Sequence, residues 1–467
     1  MVKNIKILFV NIVNTKNDNE IIYPPLGLAY LVSYAKKYLK NKNVIFKVIS
    51  NNYEENIKQI KPDIIGLTCV SQNYEKAKNI AKFSKENSSA LILIGGSHIS
   101  LCPTSLDKNM DIGVLGEGEE TFTKLIDLFI KKKKKILVED LAKIQGIIYW
   151  NKNNIIFTKK RDFIMQLDKI PFPDRSLFKI NPNDAYMFSS RGCPYNCIFC
   201  AASKLWKNIR FHSAEYVVNE IKELITKYKV KNIKFHDDLF IANKARIKEI
   251  ARLMKKEKLT GKVEFDVSAR ANLITDELCI LLKKMNVKSI FMGLESGSPK
   301  ILKYLKGDSV SIQDNIRAIK TIKKHGFKCT GSFIIGTPLD TKETILDTLR
   351  FIKKVKLDNF DVFVLIPMPG TSMWDYAQKN GLITTNLEKF DWLSLDEDYK
   401  KSHKRNIHLA KNLTPKELYS LFLKFNFEKN KMVFFNRLKR VIRNPMRLIN
   451  YIKRKLFKNN ITFSKWT

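Results

Sequence analysis

The stretch SRGCPYNCIFC, residues 190–200, places Cys193, Cys197 and Cys200 in a C-x3-C-x2-C spacing at the end of an apolar run. Cysteine thiolates are the usual protein ligands of iron–sulfur clusters. Three thiolates on a cluster of four irons leave one iron open, and an open coordination position is what a catalytic metal site needs. Zinc is the alternative, but it would need a fourth ligand, and the nearest downstream histidine is His212. The motif therefore predicts a catalytic iron–sulfur cluster.

The cysteine stretch opens a region in which strand-like and helix-like patterns alternate six times. The predicted strands are AYMFSS (185–190), NIKFHDD (232–238), VEFDVSAR (263–270), SIFMGLES (289–296), KCTGSFIIG (328–336) and NFDVFVLIPMP (359–369). Such alternation predicts parallel βαβ units. Six units are too few for the usual eight-stranded barrel. Residues 181–375 are therefore expected to form a partial (β/α)6 TIM-like barrel that stays open.

The first 140 residues alternate in the same way. The predicted strands are IKILFVNIV (5–13), VIFKVIS (44–50), DIIGLTCV (63–70), ALILIGG (90–96) and DIGVLGEG (111–118). This α/β pattern predicts a doubly wound, Rossmann-like parallel sheet, in which ligands bind beyond the carboxyl ends of the strands. Residues 141–180 are expected to connect the two units through a hairpin, GIIYWNKNNIIFTKK (146–160), and a proline-containing linker.

Composition and charge narrow the class of protein. Lysine and arginine outnumber acidic residues 84 to 46, a net charge of +38, and the simplest explanation is a solvated basic surface. Seven scattered cysteines argue against a disulfide framework. We find no signal peptide and no apolar stretch long enough to span a membrane, so a cytoplasmic protein is expected. Residues 376–467 are predicted to be a basic helical region without acidic residues after Glu428.

Three interpretations of this basic tail stay open: a helical cap on the barrel, an amphipathic surface for anionic lipid, and a nucleic-acid contact. Its apolar positions are Phe434, Phe435, Leu438, Ile442, Leu448, Ile452 and Leu456. Pro445 divides this apolar face into two pieces. We expect a packed cap first and a peripheral membrane contact second, with no stable nucleic-acid complex.

CPYNCIFC resembles the signature of the radical S-adenosylmethionine superfamily. The resemblance implies a 4Fe-4S cluster on Cys193, Cys197 and Cys200, which are then both metal ligands and catalytic residues. It also implies that S-adenosylmethionine chelates the open iron and that the cluster splits it into a 5′-deoxyadenosyl radical. An electron donor such as flavodoxin or ferredoxin would supply the electron.

The resemblance assigns residues near the strand ends to S-adenosylmethionine. They are Phe199 beside the adenine, Asp237 and Asp238 at the methionyl amine, Arg270 at the carboxylate, Glu295 at the ribose or amine, and Gly336 against the adenine. Charged groups at the carboxyl ends of strands are what a barrel active site predicts. Plainer explanations exist for single residues, since Asp237 could cap a helix and Glu295 could pair with a lysine.

The motifs YPPLGLAYL (23–31), GGSH (95–98) and GEGEET (116–121) resemble the cobalamin-binding domain that precedes the radical domain in one subgroup, which includes the class B methyltransferases. The two resemblances together cover about residues 5–375. The residues assigned to cobalamin are Pro25, Gly95, Gly96, Ser97, His98, Gly116, Glu117 and Gly118. Glycines let the backbone approach a flat macrocycle closely, although ordinary tight turns are an alternative.

One departure from cobalamin domains concerns the lower cobalt ligand. None of the six histidines lies in a D-x-H-x-x-G pattern. We therefore expect cobalamin without a histidine lower ligand, while loss of the cofactor stays an alternative.

The resemblance implies that the radical removes hydrogen from an unactivated carbon and that methylcobalamin methylates a small-molecule or lipid-like substrate. Two other functions stay open. One is a radical cyclase or rearrangement enzyme without methyl transfer. The other is a non-catalytic corrinoid or nucleic-acid binding protein.

Overall fold

A computed structural model describes residues 4–13, 23–206 and 208–443. Its first sheet contains β1 (Ile5–Asn11), β2 (Val44–Ile49), β3 (Ile64–Thr68), β4 (Leu91–Gly95), β5 (Ile112–Val114), β6 (Ile147–Asn151) and β7 (Asn154–Phe157). The strand order is β2-β1-β3-β4-β5-β6-β7. The first five strands are parallel, and β6 and β7 join antiparallel. All five predicted strands are present, and the hairpin extends this sheet.

The first sheet is covered on both faces. Its helices are α1 (Leu26–Tyr38), α2 (Tyr53–Ile60), α3 (Tyr74–Asn87), α4 (Ser97–Leu101), α5 (Glu119–Lys131) and α6 (Val138–Leu141). Successive strand residues point to opposite faces. In β1, Ile7 and Phe9 belong to one hydrophobic cluster, whereas Leu8 and Val10 belong to another. The predicted doubly wound architecture is confirmed.

The second sheet has six parallel strands in the order β15-β14-β13-β12-β11-β8. These strands are β8 (Ala185–Met187), β11 (Asn232–Phe235), β12 (Glu264–Ala269), β13 (Val287–Glu295), β14 (Lys328–Ile335) and β15 (Asn359–Val364). Since β8 and β15 are the two edges, the barrel is partial, as predicted. A short antiparallel pair, β9 (Ser190–Arg191) and β10 (Arg210–Phe211), lies beside it.

Helices cover the outer face of this second sheet. The short α7 (Ala202–Leu205) is not among them, since it contacts α4 of the first unit. The covering helices are α8 (Ala214–Thr226), α9 (Lys244–Lys256), α10 (Asp276–Lys284), α11 (Pro299–Lys306), α12 (Ile312–Lys324) and α13 (Lys342–Val355). The strands bury alternate residues against them. In β13, Ile290 and Met292 are fully buried, whereas Phe291 between them is 41% exposed. The opposite, inner face of the sheet therefore carries accessible apolar side chains.

In the part of the chain that the structure describes, three α-helices follow β15: α14 (Ser372–Lys379), α15 (Tyr399–Ser402) and the long α16 (Pro415–Arg443). Helix α16 buries Leu418 and Phe425 in the barrel core. Lys429 pairs with Asp361 of β15 at 2.5 Å, and the Asn436 side chain donates to the carbonyl of Asp358 at 2.9 Å. The helix therefore runs antiparallel to β15 and caps the barrel, which is the first of the three interpretations of the tail.

Part of the predicted apolar face of the tail, Leu448, Ile452 and Leu456, lies outside the described residues, as do Pro445 and the side chain of Ile442. Among the helices that the structure describes, none is long and apolar enough to cross a membrane.

The two units share hydrophobic packing, and a buried ion pair ties the linker to the barrel. One hydrophobic cluster contains Leu8 and Ile94 of the first sheet together with Ile334 of β14. In the linker, Arg175 donates to Glu220 of α8 at 2.5 Å, and both side chains are almost fully buried. A buried pair of this kind is costly to break because it leaves an uncompensated charge.

Candidate active site

The three cysteines lie on the loop between β9 and α7, at the carboxyl edge of the barrel. All three are free and half-buried. The turn is held by the Cys200 amide, which donates to the Cys197 carbonyl at 3.0 Å. Gly192 has a φ of +93°, and a Cβ there would lie 2.7 Å from the Asn208 carbonyl oxygen. Only glycine fits this position.

The donor chemistry of the loop fits an iron–sulfur cluster. Among the described residues, no three His, Cys, Asp or Glu side chains lie close enough together to bind a single metal ion. A cluster places its thiolates on different irons, so single-ion geometry is not expected of it. The loop is also held by packing. Cys193 contacts the hydrophobic core of the barrel, and Ile198 and Phe199 contact the hydrophobic side chains that the barrel shares with the first sheet.

Arg270, at the end of β12, faces the cysteine loop. Its Nη1 lies 3.5 Å from Cys197 Sγ, and its guanidinium stacks 3.8 Å from the ring centre of Tyr195. Its Nη2 donates to Ser309 Oγ at 2.5 Å. A fixed positive charge therefore stands beside the predicted cluster, where an anionic ligand group can bind it in fork geometry.

The neighbouring carboxylates Asp237 and Asp238 point in different directions. Asp237 is buried and accepts hydrogen bonds from the Ser189 amide at 2.6 Å, Ser189 Oγ at 2.5 Å and Ser190 Oγ at 2.7 Å. Asp238 accepts one from the Gly192 amide at 3.2 Å and lines the cavity between the two sheets that is described below. Asp237 therefore fixes the backbone beneath the loop, and Asp238 is accessible to a ligand.

Glu295 and Gly336 have neighbours within the protein. Glu295 is buried, has a φ of +59° and pairs with Lys306 at 2.9 Å. A Cβ on Gly336 would lie 2.9 Å from Leu418 of α16. Phe199 lines a second cavity of about 260 Å³, together with Ile334 and Phe363 among others. Glu295 thus has the lysine partner that was its plainer explanation.

A cavity of about 440 Å³ lies between the carboxyl edge of the first sheet and the barrel. Of the residues assigned to cobalamin, those that line it are Pro25, Gly95, Gly96, Gly116, Glu117 and Gly118. A Cβ on Gly116 would meet nothing closer than 3.9 Å, so it would project into open space. This edge is a wall of bare backbone, which suits the close approach of a flat macrocycle.

Ser97 and His98 do not line the cavity. The imidazole of His98 is fully buried between Ser71 Oγ at 3.0 Å and Ser105 Oγ at 2.9 Å, and it stacks on Tyr74. Burial lowers the pKa of His98 to about 3, so the ring is neutral. The structure therefore gives His98 a place in the packing behind the cavity wall.

A network of buried charges joins the first sheet to the cysteine loop. Arg191 donates to Glu117 at 2.8 Å and to Glu119 at 2.6 Å, and Arg210 donates to Glu117 at 3.0 Å. The Glu117 carboxylate also accepts from the Ile164 amide at 2.7 Å. Burial opposes its ionisation, but the two arginines hold the pKa of Glu117 below its usual value.

Several cavity residues lie outside the sequence-based assignment. The barrel side contributes Tyr186, Phe188, Trp206 and His236, and the first sheet contributes Asn11 and Thr68. His236 packs 5.0 Å from Tyr23 and 5.4 Å from Phe188, ring centre to ring centre. Partial desolvation by the cavity walls lowers the pKa of His236 below its usual value. Its position at the end of a predicted strand, in the HDD triplet, was the signal that could have identified it.

Comparison with known proteins agrees with this geometry. Residues 187–352 match the family model of the radical SAM superfamily, and residues 19–126 match that of the B12 binding domain. The uncharacterized methyltransferase PH0819 of Pyrococcus horikoshii is 33% identical over 419 residues, covering 86% of this chain and 88% of its own.

Two more distant similarities show the range of the family. The anaerobic magnesium-protoporphyrin IX monomethyl ester cyclase of Rubrivivax gelatinosus is 25% identical over 75% of this chain and 66% of its own. The structure of the radical S-adenosylmethionine methyltransferase TsrM from Kitasatospora setae, with tryptophan and a SAM analogue, gives a TM-score of 0.71 at 15% identity. It covers 89% of this chain and 88% of that one, and it shows a common fold.

The predicted cofactors, a 4Fe-4S cluster, S-adenosylmethionine and cobalamin, are thus supported by both family models. The chain belongs to the cobalamin-binding radical S-adenosylmethionine enzymes, in their methyltransferase family.

Proposed function

We propose that this enzyme transfers a methyl group to an unactivated carbon of an apolar small-molecule or lipid-like substrate. The observation that carries the proposal is that one cavity is shared by the two units. Its walls include the glycine edge of the first sheet and, on the barrel side, Ser190, Arg191 and Asp238 next to the cysteine loop. A methyl donor on one wall and a radical source on the other would therefore act on the same substrate.

The cysteine side of the site orients S-adenosylmethionine. When bound, the 4Fe-4S cluster and S-adenosylmethionine supply a carbon-centred radical, and cobalamin supplies the methyl group. In our proposal Cys193, Cys197 and Cys200 hold the cluster, and the Arg270 guanidinium binds the methionyl carboxylate. Asp238 offers an accessible carboxylate to the methionyl amine. Phe199 would lie beside the adenine.

Three further residues assigned to S-adenosylmethionine fit an indirect part. Asp237 accepts hydrogen bonds from the Ser189 amide and from the hydroxyls of Ser189 and Ser190, and so fixes the position of the backbone that leads into the cysteine loop. Glu295 neutralises Lys306 at the end of β13. Gly336 leaves room for α16 at the end of β14. We propose that these residues position the site and do not touch the reacting atoms.

The glycine edge holds cobalamin by shape. Pro25, Gly95, Gly96, Gly116 and Gly118 supply the backbone surface, and Glu117 secures that surface to the barrel. Among the described residues, the only histidine that lines the cavity is His236, which belongs to the barrel side. Asn11 and Thr68 line the cavity on the first-sheet side. We propose that cobalamin would be held there without a histidine ligand to its cobalt.

The inner face of the barrel supports an apolar substrate. Phe291 of β13 and Phe363 of β15 are 41% and 43% exposed, although their strand neighbours are buried. Phe363 also lines the cavity beside Phe199. Apolar walls with few polar groups are typical of sites for apolar ligands.

The test uses anaerobically reconstituted enzyme with hydroxocobalamin and a small reducing protein of the flavodoxin or ferredoxin class. We expect 5′-deoxyadenosine to form. With S-adenosylmethionine that carries a trideuterated methyl group, the product should be heavier than the substrate by the mass of that methyl group less one hydrogen. A product without added mass would contradict methyl transfer and favour a cyclase, the reaction named for the Rubrivivax relative. Absence of 5′-deoxyadenosine from fully reconstituted enzyme would contradict the radical reaction itself.

A further inference from the structure

Helix α16 has two apolar faces on opposite sides. Leu418, Leu421, Phe422 and Phe425 are buried against the barrel. A second set of large apolar side chains is exposed: Leu423 at 41%, Phe427 at 67%, Phe434 at 63% and Leu438 at 42%. Spacings of four, seven and four residues place this second set along one line of a helix. We call these four residues the outer stripe of α16.

The outer stripe is large for a surface left in water. A helix on a globular protein usually carries one apolar face and one polar face, so a second apolar line indicates a partner. The buried face already accounts for the attachment of α16 to the barrel. The stripe is therefore available to a binding partner other than the barrel.

The charges around the stripe indicate the chemistry of that partner. Lys424 and Lys431 are exposed along one side of it. The two carboxylates of the helix are engaged elsewhere, since Glu417 caps the first turn through Thr414 and Glu428 pairs with Lys353 of α13. Twelve lysines and arginines, and no acidic residue, follow Glu428 in the sequence. An apolar line flanked by unpaired positive charge is complementary to an anionic lipid surface.

We propose that the outer stripe of α16 docks this protein on the surface of an anionic membrane. Phe427, Phe434 and their leucine neighbours would lie at the level of the lipid headgroups, and the lysines would contact lipid phosphates. Leu418, in the first turns of α16, lies against Gly336 at the carboxyl end of β14. Since Asn436 contacts Asp358 just before β15, the stripe runs from the carboxyl edge of the barrel at Leu423 to its amino edge at Leu438. The proposal stands independently of the methyl-transfer reaction.

The experiment is flotation of the full chain with vesicles of two compositions, phosphatidylcholine alone and phosphatidylcholine with about 30% phosphatidylglycerol. We expect binding to the anionic vesicles only, and most of it should be lost when salt rises from about 0.1 M to about 0.5 M. The double variant Phe427→Ser/Phe434→Ser should bind at least about tenfold more weakly, because two buried aromatic contacts are removed.

Met165→Ser is the matched control, since Met165 is 69% exposed and lies in the linker. It should bind as the unchanged protein does. Circular dichroism and cleavage of S-adenosylmethionine in solution should be the same for all three proteins, which separates a failure of docking from a failure of the site.

Three results would overturn the proposal. The first is no binding to anionic vesicles, and the second is full binding by the double variant. The third is sedimentation of the unchanged protein as a dimer and of the double variant as a monomer. That result would assign the stripe to a second copy of the chain.

Discussion

The carboxyl edges of the two sheets face the same cavity but are built from different material. The first sheet presents backbone, at Gly95, Gly96 and Gly116. The barrel presents charged side chains, among them Asp238 and, beside the cysteine loop, Arg270. The acidic residues of the first edge, Glu117 and Glu119, bind Arg191 and Arg210 instead of a ligand.

The difference shows two ways of binding a cofactor. A wall of backbone recognises a large flat molecule by shape, and it tolerates no added side chain. Charged and sulfur ligands recognise a metal cluster and a zwitterion by donor atoms and charge. The buried charges between the edges then keep the two surfaces at a fixed separation. Substitutions at the two edges and at this joint should therefore fail in different ways.

The largest effect is expected on the side-chain edge. Cys197→Ala should abolish cluster assembly and leave no measurable 5′-deoxyadenosine, because two thiolates cannot replace three. Iron and sulfide content after anaerobic reconstitution measures this. Cys279→Ala, at a buried cysteine of α10, should keep the full iron content. Four irons per chain in the Cys197 variant would refute the assignment.

The joint comes next. Arg191→Met should lower the free energy of unfolding by about 3–5 kcal/mol, because it leaves buried Glu117 and Glu119 short of a partner. Urea denaturation measures this change. Arg252→Met removes an exposed pair with Glu249 and should change the free energy of unfolding little, because water screens that pair. If both variants cost the same, the buried charges do not hold the units together.

On the backbone edge, the loss should be in affinity. Gly116→Ala should weaken hydroxocobalamin binding by about tenfold or more, because the added methyl group enters the cavity. Quenching of tryptophan fluorescence measures the affinity. Gly326→Ala is the control. Gly326 has a similar positive φ and open surroundings but lies away from the cavity, so its replacement adds the same backbone strain without changing hydroxocobalamin affinity. Equal affinities would show that Gly116 does not contact the corrin.

The smallest effect concerns His98, behind the backbone edge. Its pKa is about 3 in the folded chain and near 6.5 when exposed, so protonation favours the unfolded state. The stability that the neutral ring provides is complete above pH 6.5 and is lost as the pH falls toward 3. Between pH 6.5 and 5.5 the loss should be about 1 kcal/mol.

The variant His98→Gln should lack this part of the pH dependence and still bind hydroxocobalamin within about twofold of the unchanged protein. Urea denaturation at the two pH values and fluorescence titration test both statements. A large loss of corrinoid affinity in this variant would show that His98 takes part in binding cobalamin.

Much of the architecture was predictable because its signals are local. All eleven strands predicted in the two units are present, since runs of β-branched residues alternating with amphipathic stretches specify βα units over short distances. The glycines of the first edge were also predictable, because turns after buried strands carry a recognisable composition. The order of the two units along the chain, with the Rossmann-like sheet before the barrel, follows directly from these elements.

The orientation of individual polar residues was not predictable in the same way. Asp237 and Asp238 are adjacent, yet one binds backbone under the loop and the other faces the cavity. His98 follows the glycine pair, but the short helix α4 directs its side chain into the packing. The partners of Glu117 come from Arg191 and Arg210, more than 70 residues away. Such pairings depend on how the two sheets dock.

By itself the sequence determined the chemistry of the cysteine loop and the order of strands and helices, because both are written in neighbouring residues. Only the tertiary structure decided which side chains meet across the cavity, which charges neutralise each other, and that α16 keeps one apolar face in the core and one outside. These outcomes depend on burial and on contacts between distant segments, and the free energy of such contacts has no local pattern in the chain.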